Sequence, residues 1–408
     1  MAAKSVGEKK VRNHIPNDLA ISLLSKLPLK SLKRFECVSK TRALLFENPQ
    51  FRTNFISIPH SYYEDASHLL FEVVESHDYS PHCSFYSLFG EKYENQVKLD
   101  FPNPFQEENP FFDFYTCHFY GCDTITGTLC LTQGKPLVLW NPATQEFKVI
   151  PHSPIESVPP YRELTMMDIH GFGYDHIKED LKIIRYMQFT PISSGHLERL
   201  DVRYEDVSWN EISYEPEWEI YSLRCNSWRK LDVNMPKRCF SGSCEPLYID
   251  GMSHWWSESE NCDEHFLVSF DLSNEMFFTT TIPIDIPLDI DTNFYLGFVR
   301  RRLVVLNRSI ASISWYLLDT TTFHISILGE LGVKESWIKL FVVGPLPYID
   351  RLIGMGKNGD IFFKKKDGKL VYFSLSTQKA EEVGVKGAYS YDIAIYKKSL
   401  LSIGRINK

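Results

Sequence analysis

The sequence predicts a small all-α, three-helix module followed by an all-β domain, a β-propeller of about six blades. Three observations predict it. Apolar residues recur at helical spacing between Ile15 and Phe51. From about residue 60 onward the chain is a succession of short apolar runs bounded by Gly, Asn, Asp or Pro, which read as strands. One strand–turn–strand unit also returns at intervals that cluster near 50 residues, the length of a four-stranded blade.

The helical module comes first. Pro16-Asn17-Asp18 opens a helix whose Leu19, Leu23, Leu24 and Leu27 form one apolar stripe. Pro28 stops it. A second short helix carries Leu29, Leu32, Phe35 and Val38, and a third, after Ser39, carries Leu44 and Leu45, with Phe51 beyond Pro49. So small a unit cannot bury a competent core alone. Its apolar surface needs a partner, either in the rest of the chain or on another protein.

The repeat follows. A strand ends at a small polar residue, a tight polar turn comes next, and a further residue, mostly apolar, arrives six positions later. The instances are Ser87/Tyr93, Asn141/Phe147, Ser222/Trp228, Asp271/Phe277, Asp319/Ile325 and Ser374/Ala380. The intervals are 54, 81, 49, 48 and 55 residues, a kelch-like period with one insertion, assigned to the polar, acidic segment 190–216. The Asn and Asp suit tight turns, because a short polar side chain bonds to nearby backbone. The Trp and Phe after the turns are expected in the blade core. The boundaries drawn are a flexible tail at 1–11, the helical module at 12–55 and the β domain at 56–404.

Composition narrows the class. The chain has 408 residues, 43% hydrophobic and 14% aromatic, which is globular in character. It has no apolar run long enough to span a bilayer and no secretory signal at its start, and its nine Cys are scattered. Reduced thiols in the cytoplasm or nucleus are therefore expected, with no membrane partner. Residues 1–55 carry a net +7 and the remainder −15, against a total of −8. A basic module on an acidic body suggests docking by complementary charge. The acidic body argues against nucleic-acid binding, which needs phosphate neutralisation.

Pro16-x-Asp18-Leu19, Leu23-Leu24-x-x-Leu27-Pro28-Leu29-Lys30-Ser31-Leu32 and Arg34-Phe35-x-Cys37-Val38-Ser39-Lys40 together resemble the F-box. The resemblance implies docking on the Skp adaptor of a cullin-RING (SCF-type) ubiquitin ligase, with Pro16, Leu19, Leu23, Leu27, Pro28, Leu32, Phe35 and Val38 at the adaptor face. One departure is Thr41-Arg42, where the family has Ser-Trp. Losing an apolar anchor of that size costs about 3–5 kcal/mol in a core. An arginine stem lying on the surface recovers part of it.

A second resemblance covers roughly residues 100–390. Leu139-Trp140-Asn141-Pro142-Ala143-Thr144, Gly171-Phe172-Gly173-Tyr174-Asp175, Glu219-Ile220-Tyr221-Ser222-Leu223, Asn226-Ser227-Trp228-Arg229, Gly251-x-x-His254-Trp255, Ser269-Phe270-Asp271-Leu272 and Lys334-Glu335-Ser336-Trp337 are similar to the F-box-associated domain of plant F-box proteins, a group that includes S-locus-like members. It implies a non-catalytic receptor domain that binds a target protein for ubiquitination.

Gly354-Met355-Gly356-Lys357-Asn358-Gly359 spells G-x-G-x-x-G, but strand-like Asp360-Ile361-Phe362-Phe363 follows where a dinucleotide site needs a helix, so a hairpin is expected. Cys239, Cys244, His254, Cys262 and His265 lack the paired spacing of a zinc site. No catalytic residues, metal or cofactor are assigned. The segment 254–265, HWWSESENCDEH, reads as a loop whose Trp255 and Trp256 are candidate target anchors. Two alternatives stand beside the receptor reading. One is a propeller-type enzyme or small-ligand binder with a helical cap, and the other is a degenerate F-box protein without ligase activity.

Overall fold

The computed structural model describes residues 68–405 except 78–79, 91, 102–117, 121–126, 133–135, 157–160, 194, 196, 198–201, 238–244, 260–263, 283–298, 317–319, 357–358, 384–388 and 397–402. The chain divides into two units, Met1–Ile58 and Pro59–Lys408. The first lies outside the described residues, and with it the expected three helices.

The second unit is built of antiparallel strands. In chain order they are β1 (His68–His77), β2 (Ser80–Phe89) and β3 (Asn95–Leu99); β4 (His118–Tyr120), β5 (Leu129–Thr132), β6 (Leu137–Asn141) and β7 (Glu146–Val149); β8 (Arg162–Asp175), β9 (Asp180–Pro191), β10 (Glu217–Ser222) and β11 (Ser227–Leu231). Then come β12 (Leu247–Ile249), β13 (Met252–Glu258), β14 (His265–Asp271) and β15 (Phe277–Thr281); β16 (Val299–Leu306), β17 (Ser309–Tyr316), β18 (Thr320–Leu328) and β19 (Trp337–Pro347); β20 (Ile349–Met355), β21 (Ile361–Lys365), β22 (Leu370–Ser374), β23 (Lys379–Glu382) and finally β24 (Tyr389–Tyr396). Among the described residues they pair into six four-stranded sheets. Five are plain meanders. The remaining sheet has the order β24-β1-β2-β3, so a C-terminal strand joins three N-terminal ones. His68 pairs with Tyr396 and Leu69 with Ile395 across that seam. The seam ties the last strand of the ring to the first three, so that both ends of the domain share one sheet.

The core lies between consecutive sheets. Phe85, Ala394 and Tyr396 of the first sheet meet Leu129, Leu131, Val138 and Trp140 of the second. Leu139 and Cys130 of the second meet Ile169, Ile183 and Tyr221 of the third. Ile184 and Trp218 of the third meet Trp255 and Phe270 of the fourth. Trp256 and Leu267 of the fourth meet Leu303 and Trp337 of the fifth. Phe323 stacks on Phe363 between the fifth and sixth. Phe362 and Tyr372 of the sixth return to Leu88 and Ile395 of the first. A strand flanked by sheets on both sides buries both faces, so β6 and β22 are buried along their whole length.

The same packing corrects the reading of 254–265. Trp255 and Trp256 are not loop residues. They lie in β13, 0% and 3% exposed, one facing the third sheet and the other the fifth. Adjacent positions on a strand point to opposite faces, and here each face is a core.

Four of the six predicted turns recur with one geometry. After Asn141, Ser222, Asp271 and Ser374, the residue four positions on adopts a left-handed backbone: Gln145 at φ 57°, Asn226 at 51°, Glu275 at 62° and Gln378 at 57°. The Oδ1 of Asn141 accepts from Ala143 N at 3.0 Å and that of Asp271 from Ser273 N at 2.7 Å. Asp175 builds the same turn, with Ile177 N at 2.9 Å and Glu179 at φ 51°, a copy outside the six units of the sequence repeat. Two assignments need correction. Ser87 sits inside a strand opposite Val97. Ile325 lies in the middle of β18 and not after a turn, while Asp319 lies outside the described residues. Phe147 does not enter the core; it is 47% exposed on the outermost strand of its sheet. The G-x-G-x-x-G stretch spans the β20–β21 hairpin, with Gly359 at φ 73°.

Candidate partner-binding face

Antiparallel order sorts the connections between the two ends of the ring. Within each sheet the turns between the first and second strands and between the third and fourth lie at one end. The second-to-third loops and the links to the next sheet lie at the other. At the first end the turns are mostly short, such as 142–145, 223–226, 250–251 and 375–378. β1 also starts there, because His68 pairs with Tyr396, the last residue of β24. The chain thus enters the ring at the short-turn end, and the longer links fall at the opposite end.

The largest partly described excursion at that opposite end is residues 192–216, between β9 and β10. It is held by buried charges of the third sheet. Arg162, at the start of β8, donates to Ser213 O at 3.3 Å, to Ile155 O at 2.8 Å and to Glu217 Oε1 at 2.9 Å. Its guanidinium lies 3.8 Å from the centre of the Phe189 ring. A buried arginine needs such paired acceptors to offset lost hydration. One side chain therefore ties the 192–216 loop to the 150–161 link. A second pair sits deeper. Arg185 donates to Glu219 Oε2 at 2.7 and 3.0 Å, stacks 3.8 Å from the Trp228 ring, and Glu219 also accepts from Ser153.

On this base the loop turns through two short 3-10 segments, Tyr204–Asp206 and Trp209–Glu211. Val207 between them is buried and pins them down. Tyr204 and Trp209 stack outside, centroids 4.7 Å apart with planes at 30°. The indole N–H donates to Tyr204 O at 2.9 Å and fixes the pair. Tyr204 remains 64% exposed. Glu205, Asp206, Glu211 and Glu215, in the same loop, are exposed. Burial and the neighbouring Tyr204 raise the pKa of Tyr214, so it stays a neutral phenol.

The other predicted site residues fall elsewhere. Pro16, Leu19, Leu23, Leu27, Pro28, Leu32, Phe35 and Val38 lie outside the described residues, as does Arg42. Cys239, Cys244 and Cys262 do too, while His254 is buried in β13 against Ser269 at 2.8 Å. Among the described residues no group of three His, Cys, Asp or Glu is placed to hold a metal. Sequence reasoning singled out 190–216 by its polarity but missed the Tyr204–Trp209 pair. The five-residue spacing of that pair carries no regular-structure period.

The family model for the F-box associated beta propeller domain matches residues 79–400 of this chain. The chain belongs to the F-box-associated β-propeller family. Its relatives include the Arabidopsis thaliana proteins named "Putative F-box protein At3g16210", 28% identical over 66% of this chain, and "Putative F-box protein At3g17490", 26% identical over 88%. The chain spans 61% of the length of the first and 82% of the second. "F-box protein CPR1" of the same plant is 22% identical over 96% of this chain and 90% of its own length. Membership of the F-box-associated family accounts for the ring of sheets and for the repeated turns.

Proposed function

We propose that this chain is the substrate receptor of an SCF-type cullin-RING ubiquitin ligase, working without catalytic residues of its own. One observation carries the reading: an F-box-associated propeller at 79–400 stands directly behind the F-box-like stretch at 15–51. Relatives named as F-box proteins along most of this chain support it. The helical module would hold the Skp adaptor through Pro16, Leu19, Leu23, Leu27, Pro28, Leu32, Phe35 and Val38. The long-loop end of the propeller would hold the target protein. Rate then comes from proximity, since target and charged ubiquitin carrier share one scaffold. The cytoplasm or nucleus suits such a protein, and Cys130 and Cys225 are free thiols.

The test is adaptor co-purification with Leu27→Asp/Leu32→Asp. Adaptor is lost from this variant while the propeller keeps its thermal transition. Undiminished adaptor binding would overturn the assignment. Arg42→Trp separates a weakened F-box from an intact one: tighter adaptor binding shows that Arg42 lowers affinity, and an unchanged value shows that it is tolerated.

A further inference from the structure

We propose that the Tyr204–Trp209 loop is the docking site for a basic, Arg- or Lys-containing segment of the target protein. The inference rests on the receptor reading and names the chemistry its target must carry.

Three features of the loop point to that occupant. The stacked pair presents an aromatic surface, 64% of Tyr204 being open to solvent, at a place where no core requires it. Residues 202–216 hold Glu205, Asp206, Glu211 and Glu215 against Arg203 alone, a net −3, so the aromatic surface lies within a negative field. A cation over the face of Tyr or Trp is attracted by the ring quadrupole, and flanking carboxylates strengthen its capture. The third feature is rigidity. The Trp209 N–H bond to Tyr204 O, buried Val207 and the Arg162 bond to Ser213 O hold the loop before any partner arrives. Little ordering entropy is then lost on binding. The carboxylates disfavour a nucleic-acid occupant and would steer a basic one. The loop also projects from the end opposite to the chain's entry into the ring, which leaves it clear of the start of β1.

The test uses the full-length chain and a fluorescent Arg-Ser peptide, with citrulline in place of Arg as the uncharged control, read by polarisation. Binding is expected for the Arg peptide and not for the citrulline peptide, and it weakens strongly at about 0.5 M salt. Tyr204→Ala/Trp209→Ala lowers affinity at least about tenfold, while Tyr204→Phe, which keeps the ring, retains it. Glu205→Gln/Asp206→Asn weakens binding. Glu179→Gln/Glu335→Gln, which removes the same charge at the short-turn end, does not. Equal binding of both peptides, an unchanged affinity in the double alanine variant, or no binding at all would overturn the proposal. Adaptor co-purification is measured in parallel. If it persists while peptide binding fails, this inference falls and the receptor reading stands; if adaptor binding is absent from the unmodified chain, the receptor reading itself falls.

Discussion

The hydroxyl of Tyr93 donates a 2.8 Å hydrogen bond to Asp360 Oδ2, a buried contact between residues 267 positions apart. Tyr93 stands in the turn before β3, and Asp360 in the turn before β21. The bond therefore joins the first sheet to the sixth beside the β24–β1 seam. The Tyr93 ring packs edge-on against Phe362 at 4.9 Å and Tyr372 at 5.3 Å. Burial and the Asp360 carboxylate push its pKa far up, so it remains a donor throughout the working range. Tyr93→Phe keeps the ring and removes the bond to a charged acceptor, which costs about 1.5–3 kcal/mol. Denaturant unfolding should show a lower midpoint with unchanged slope. An unchanged midpoint would mean that this contact between the first and sixth sheets is held by ring packing alone.

Asp175 gives an acid dependence. Its buried carboxylate would be raised by burial, but Lys182 at 2.8 Å, the Lys178 N–H and the Ser273 hydroxyl outweigh that and lower it to about 2. The folded pKa is below the unfolded value, so the contribution is complete above the unfolded pKa of about 3.9 and is lost as pH falls through about 2. Asp175→Asn should destabilise the propeller on the order of 2 kcal/mol at pH 6, and the gap should narrow towards pH 2. A gap that does not change with pH would show that the ion pair is not its source.

His254 gives a second dependence in a separate window. Complete burial lowers its pKa from 6.5 to about 3. The folded state holds the neutral ring, whereas the unfolded chain takes up a proton below about 6.5. Stability is therefore full above pH 6.5 and declines as pH falls towards 3. His254→Gln keeps a polar group near Ser269 and removes the titration. Its unfolding free energy should be flatter between pH 6.5 and 4.5 than that of the unmodified protein, and parallel slopes would count against the assignment.

Two hairpins share a turn geometry but not a sequence. Asp250-Gly251 joins β12 to β13 at φ 48° and 83°, and Asn307-Arg308 joins β16 to β17 at φ 51° and 57°. Two-residue turns with both φ positive favour Gly at the second position. Arg308 bears the cost of a side chain in the left-handed region, about 1–2 kcal/mol. Arg308→Gly should stabilise by roughly 0.5–1 kcal/mol after the glycine's greater unfolded freedom is counted. Thermal unfolding checks it, and a lower midpoint would mean that the Arg308 side chain contributes more than its backbone costs.

The turns were readable because their chemistry is local. Asn141 or Asp271 satisfies backbone N–H groups two residues on, so the residue type and the spacing travel together. The same locality misplaced Ile325, since an apolar residue six positions after a polar one also occurs in mid-strand. Trp255 and Trp256 were misread for a different reason. Paired tryptophans beside Ser and Glu resemble an exposed loop unless both faces of the strand are known to be covered.

By itself the sequence determined the class of the domain, four of the six repeated turns, the place of the 190–216 excursion and the family resemblance, because each is written in short-range pattern. Only the tertiary structure decided how the ring closes, which faces are cores and what the excursion displays. The β24–β1 pairing joins residues at opposite ends of the domain, and backbone hydrogen bonds carry no residue code to announce it. Strand burial depends on the neighbouring sheet. The stacked Tyr204–Trp209 pair depends on Arg162, more than 40 positions earlier, holding the loop that carries it.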